Sequence, residues 1–241
     1  MNLESLYDQP QLQHELKMSL LKYLRIKIFY TLMRPFSILV RGARIRLFIK
    51  IMKPVRGTKI LDLGGQPTIW DFVDIPLAIT CVNLPGIAMT DHRTHHEITY
   101  VEGDACHLPN FKFGDFDIVF SNSVIEHVGN SNKQMQFACE VMRLSNNYWI
   151  QTPCKEFPIE AHSGMPFWWY YPSWVRTYFL DQWSKKLPGW TEMVATTTVI
   201  QKKDLKKMLP NSQILTEWFI FPKSLIAYSV GHPPQASENS R

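Results

Sequence analysis

Apolar and polar positions alternate along this chain in a way that repeats five times between residues 60 and 153. Ile60-Leu-Asp62-Leu-Gly64-Gly65, ITCVNLP (79–85), YVEGDACHLP (100–109), FDIVFSNSVIEHV (116–128) and YWIQTP (148–153) each read as a buried strand running into polar or glycine-containing turn residues. The pattern predicts strands near 78–83 and 97–101 around the second and third of these. Pro67 suits the first position of a short helix over 67–73, where its missing N–H goes unused. Helical spacing returns at 131–144, where Met135, Ala138, Cys139 and Met142 would share the buried face. Two β-rich runs, 212–219 and 224–230, flank Phe221-Pro222-Lys223 and predict a terminal hairpin. Strands that alternate with helices and carry polar residues at their ends define an α/β chain with a doubly wound sheet, in which a small ligand sits at the carboxyl ends of the strands.

The ends of the chain read differently. Residues 17–33 mix Leu, Ile and Tyr with Lys and Arg, without a clean stripe, and Arg34-Pro35 interrupts any helix there. Over 39–53, Ile45, Phe48, Ile49 and Met52 mark an apolar helical face, and Arg46, Lys50 and Lys53 a basic one. Two readings stay open: a helix packed on the sheet with its basic side in solvent, or an interfacial helix that docks on an anionic membrane or closes over the substrate. After Pro153 an insertion at 156–190 holds eleven aromatic residues, enough for a large apolar lid. The expected organisation is a basic helical extension (1–53), an α/β domain (54–230) and a disordered tail (231–241).

Charge sharpens this division. The net charge of +5 hides an asymmetry, since residues 1–53 hold ten Lys/Arg against three acids while the remainder is slightly acidic. A basic arm attracts anionic surfaces, so peripheral membrane contact through 17–53 is one expectation. The four cysteines are widely spaced and are expected to be buried as small apolar residues, and no His spacing suggests zinc. No metal is expected. The first twenty residues show no cleavable signal, and the apolar stretch 161–175 is broken and too short to span a bilayer, so a cytoplasmic protein is the default.

The turn after the first strand is G-G-Q-P-T, which lacks the third glycine of the G-x-G-x-x-G diphosphate cradle. The D-L-G, G-D-A-x-x-L-P and E-H-V segments together resemble the class I S-adenosylmethionine-dependent methyltransferases, of the type 11-like small-molecule kind. The resemblance is carried by residues 55–155. It implies a Rossmann-like sheet, mostly parallel with an antiparallel C-terminal hairpin strand and helices on both faces. It also implies S-adenosyl-L-methionine as cofactor, and methyl transfer to a small-molecule or lipid-like acceptor.

By the same resemblance, Asp62 and the Gly64-Gly65 backbone would lie against the methionine part. Asn83 and Leu84 would stand at the ribose, although a carboxylate is usual there and Asn83 also reads as a plain turn residue. Asp104 would accept from the adenine amino group, with Ala105 beside it, and Asn122 and Ser123 would run under the methionine portion. Gln66 and Thr68 fill positions where the family carries glycine. His127 is the candidate general base or a residue that orders its loop. Glu160 and His162, in Pro158-Ile-Glu-Ala-His, would flank the acceptor or form a structural ion pair. Two other classes compete: a non-catalytic cofactor-binding or interaction protein of the same fold, and a nucleic-acid methylase. The latter is disfavoured because Ser121-Asn122-Ser123-Val124 replaces the N-P-P-[FY] tetrapeptide expected after the fourth strand. Nothing in the sequence fixes the oligomeric state.

Overall fold

The computed structural model describes residues 38–87, 92–160 and 162–231. The 17–33 stretch, Arg34-Pro35 and all but the first residue of the 231–241 tail lie outside them. Seven strands form one sheet in the order β3-β2-β1-β4-β5-β7-β6: β1 (Lys59–Leu63), β2 (Ala78–Asn83), β3 (Glu97–Glu102), β4 (Ile118–Asn122), β5 (Tyr148–Pro153), β6 (Gln213–Phe219) and β7 (Phe221–Ser229). The first five run parallel, and β7 is antiparallel to both β5 and β6. This is the class I methyltransferase arrangement, Rossmann-like with its antiparallel terminal hairpin.

Period-two alternation divides the strand residues between two cores. Ile60, Ile79, Cys81, Ile118, Phe120, Trp149 and Ile226 face one way. Helix α1 (38–52) covers them with Ile45, Phe48 and Met52, and the 3-10 turn Pro67–Phe72 adds Trp70. The Phe48 ring meets Trp70, Phe120 and Trp149 edge-on at 5.3–5.8 Å, the geometry aromatic quadrupoles favour. Leu61, Leu63, Val82, Val119 and Ile150 face the other way, under α2 (Ser131–Leu144) and a helix from Lys202 to Met208.

Of the two readings of the 39–53 helix, packing on the sheet is the observed one for its apolar face, and Arg46, Lys50 and Lys53 are exposed. In α2 the buried face is Gln134, Phe137, Ala138, Val141 and Leu144, rotated from the expected one. Phe137 and Val141 outcompete the smaller Cys139, which is exposed, so three of the four free cysteines are buried instead of all four. The hairpin turn is tighter than expected. It falls on Ile220, and Phe221-Pro222-Lys223 already belongs to β7. The aromatic insertion carries a 3-10 turn (Trp168–Tyr170), α3 (Ser173–Ser184) and α4 (Pro188–Thr196); α5 (Lys202–Met208) follows. Trp168 is the hub of the insertion, 5.3 Å from Trp183 in a stacked pair. Among the described residues, no helix is long and apolar enough to cross a membrane.

Candidate active site

Parallel strands deliver their carboxyl ends to one rim of the sheet, and the candidate residues lie along it. Asp62, buried near the end of β1, accepts a hydrogen bond from the Trp70 indole at 2.8 Å through Oδ2, while Oδ1 has no partner among the described residues. Burial pushes its carboxyl from 3.8 up to about 7. The Gly64-Gly65 turn lies directly on this carboxylate. A Cβ built on Gly65 would stand 2.1 Å from it, and Gly64 has φ +70° with Val124 Cγ2 2.5 Å from its own Cβ position. Only glycines allow so close an approach.

Asn83 sits buried at the end of β2 and donates its amide to the Gly65 carbonyl at 3.0 Å, which ties the turn to the neighbouring strand. Leu84 beyond it is exposed. Asp104 follows β3. Its Oδ1 accepts from the Cys106 N–H at 2.8 Å, its Oδ2 lies 3.6 Å from the Lys133 ammonium, and its side chain is half open to solvent. Ala105 lies in the same turn, partly buried.

Asn122 and Ser123 end β4 in a different environment. Asn122 Oδ1 accepts from the Arg44 guanidinium at 2.5 Å, and the same nitrogen reaches Gln151 at 3.1 Å. Ser123, at φ +58°, donates its hydroxyl to Gln151 at 2.9 Å. Both side chains therefore join a polar network anchored on Arg44. Arg44 is buried in α1, an arrangement that its basic, helix-surface sequence context did not announce.

The turn after β4 then presents Glu126 and His127. His127 Nε2 lies 3.0 Å from His162 Nε2, with the rings perpendicular. His162 Nδ1 is 2.7 Å from Glu160 Oε1, and Glu160 Oε2 accepts from the His162 and Ser163 N–H groups. Glu160 thereby closes its own loop and orients His162. Burial, with His162 close by, lowers His127 from 6.5 to about 3, so its ring is neutral and a weak proton acceptor. Glu126 is fully buried; its Oε2 accepts from the Thr152 hydroxyl at 3.0 Å and its Oε1 has no partner among the described residues. Ligating atoms of Glu126, His127 and His162 all lie within 4.8 Å of one another. The sequence alone assigns Glu126, inside V-I-E-H-V, no role. The signal was its place beside His127 at the end of a buried strand.

The fold is that of the class I methyltransferases, and its rim offers a buried carboxylate oxygen, a glycine turn and a half-open aspartate. Residues 74–147 match the family model described as a methyltransferase domain, and this segment supplies β2, β3 and β4 of the sheet whose strand order is given above. No curated protein matches it by sequence. Among solved structures it is similar to the Haemonchus contortus phosphoethanolamine N-methyltransferase 2 in complex with S-adenosyl-L-methionine, at 14% identity and a TM-score of 0.46 over 71% of this chain and 37% of that one. It is also similar to a structure of the complex between the Haloferax volcanii Trm112 methyltransferase activator and a protein assigned as a methyltransferase, at 11% identity and 0.49 over 78% and 89%. A third likeness is to the CurJ carbon methyltransferase, at 12% identity and 0.48 over 79% and 54%. The chain thus spans little more than a third of the first of these. At such identities the likeness is one of fold.

The residues on the rim fit the cofactor's chemistry. Asp62 Oδ1 is a buried acceptor, unpartnered among the described residues and suited to an ammonium group, and Asp104 offers an open carboxylate for a donor such as an exocyclic amine.

Proposed function

We propose that this protein methylates a small, hydrophobic or lipid-like acceptor, with the donor held along the β1–β3 rim by Asp62, the Gly64-Gly65 backbone, Leu84 and Asp104. The donor's sulfonium supplies an already activated methyl group: the new bond forms from the acceptor atom to that carbon, the carbon–sulfur bond breaks, and its electron pair returns to sulfur. The protein's task is then alignment and exclusion of water, which can supply about 7–11 kcal/mol. Glu126, His127, His162 and the loop closed by Glu160 stand at the ends of β4 and β5, next along the rim, where an acceptor would be received.

One observation carries the hydrophobic reading. The β6–β7 turn projects beyond the carboxyl end of β5, because Pro153 pairs with Ser224, and it exposes Trp218, Phe219, Ile220 and Phe221 together. Trp174 and Tyr178 in the insertion are also mostly exposed. Such aromatic and aliphatic groups beside a reaction site suit a lipid surface or an apolar substrate. Incubation of the full chain with methyl-labelled donor and a cell extract, followed by partition into organic and aqueous phases, tests the reading. Label is expected in the organic phase. Label confined to the aqueous phase would overturn the apolar acceptor while leaving methyl transfer intact.

A further inference from the structure

The rings of His127 and His162 are held by partners on their outer nitrogens. His162 Nδ1 faces the Glu160 carboxylate at 2.7 Å, which accepts, so the ring must carry a proton there. The Thr197 hydroxyl donates to the Met193 carbonyl at 2.7 Å and in that orientation accepts from His127 Nδ1, 3.3 Å away. When both rings carry their proton on Nδ1, the two Nε2 atoms bring their lone pairs within 3.0 Å of each other. A carboxylate oxygen of the buried Glu126 belongs to the same cluster. Two ring nitrogens and a carboxylate oxygen thus converge as a donor set suited to a cation. Two imidazole nitrogens each about 2.1 Å from one metal and at roughly a right angle are about 3.0 Å apart, so the ring pair already has a ligand spacing.

We propose that Glu126, His127 and His162 bind a divalent first-row transition metal such as Zn2+, Mn2+ or Co2+, with an open position for a hydroxyl oxygen of the acceptor. Two histidines and one carboxylate are a recurrent donor set for such ions and leave coordination sites free. Glu160 is a positioning residue: it fixes the tautomer and tilt of His162, as carboxylates behind metal-bound histidines do. This reverses the expectation that no metal is present, which followed from sequence spacing alone. The ligands come from two loops 35 residues apart, joined only by the fold. The acceptor part rests on the methyl-transfer reading above, because it assigns the acceptor's nucleophile as a hydroxyl that metal contact makes easier to deprotonate.

The test uses full-length protein freed of metal with a chelator, titrated with Co2+ and followed by its visible absorption, with Zn2+ competition and calorimetry of donor binding in parallel. One Co2+ per chain is expected, displaced by Zn2+. Affinity should fall roughly 100-fold or more in His162→Ala and in the near-isosteric Glu126→Gln, and roughly 10–100-fold in Glu160→Gln. Retained donor binding reports that each variant is folded. Absence of saturable one-to-one binding, or equal affinity in wild type and His162→Ala, overturns the site. A protein that binds donor but no Co2+ sinks the metal inference alone. One that binds Co2+ but no donor sustains the metal site and removes the methyltransferase reading.

Discussion

Arg44 and Glu217 meet in a two-pronged pair, with Nε 3.2 Å from one carboxylate oxygen and a terminal nitrogen 2.6 Å from the other. The pair joins α1 to β6 across the sheet, and Ser224 of β7 adds a short hydrogen bond to Glu217. Burial alone would raise the Glu217 carboxyl, yet the guanidinium beside it holds it below the usual range. Removing one member of a buried pair strands the other. Arg44→Ala should therefore cost about 3–5 kcal/mol, whereas Arg44→Met with Glu217→Met should recover most of that loss. Urea unfolding of the three proteins decides; equal stability of Arg44→Ala and wild type would contradict the pairing.

Asp62 makes stability depend on pH. Its folded value, about 7, exceeds its ordinary 3.8 because burial disfavours the charge. The native state thus holds the proton more tightly than the unfolded chain, so the stabilisation is complete below pH 4 and is lost as pH rises through 7. The difference corresponds to about 4 kcal/mol. Asp62→Asn should flatten this decline in thermal melts between pH 4 and 8. It should also weaken donor binding, since an uncharged amide offers less to an ammonium group. A wild-type midpoint that rises over the same range would show the sign to be wrong.

The glycine turn admits a sharper test. Gly64→Ala meets two separate obstacles: a left-handed backbone, costing about 1–2 kcal/mol for an L-residue, and the Val124 side chain 2.5 Å from the new methyl. Val124→Ala in the same chain removes the second obstacle only. The double variant should recover part of the stability and of the donor affinity lost by Gly64→Ala. No recovery would mean that the contact with Val124 is not what the glycine protects.

The strands were legible because their chemistry is local. β5, buried on both faces, opens on the apolar run Tyr148-Trp149-Ile150 and ends at Pro153, and β2 and α2 fall where their periods place them. Legibility failed where the answer depends on convergence. Arg44 gathers Asn122, Gln151, Glu217 and Ser224 from four strands, and no spacing in the sequence links them. The face of α2 was misread because Met135, Cys139 and Met142 count as apolar although Phe137, Val141 and Leu144 fill the core better. Helix α5, KKDLKKM, was not foreseen: only Leu205 and Met208 are apolar in it, yet both are buried. Asn83 was read as a ribose ligand or a turn residue, and its amide donates to the Gly65 carbonyl, a contact that needs both strands in place.

That contact predicts the outcome of restoring the carboxylate more usual at this position. Asn83→Asp would set an anion against the Gly65 carbonyl and remove the side-chain donor that ties β2 to the turn there. An unsatisfied buried acceptor costs about 1–3 kcal/mol. The variant should be less stable than wild type and bind donor no better at neutral pH, as measured by chemical unfolding and calorimetry. Tighter binding would instead assign the side chain to the ribose.

Ile220 sits at the hairpin turn with φ +58°, a conformation that a β-branched side chain tolerates poorly, and 83% of its surface is exposed. Neither fact favours isoleucine for folding, and strain retained at an exposed apolar tip is typical of a contact that serves function. Ile220→Asn should relieve the backbone, because asparagine enters the left-handed region readily, and raise stability by about 1 kcal/mol. The same change removes the most exposed apolar side chain of the Trp218–Phe221 tip. Sedimentation with anionic vesicles should therefore fall while urea resistance rises. A variant that binds vesicles as wild type does would free the tip from any role at a lipid surface, and one that is no more stable would show that the turn carries no strain.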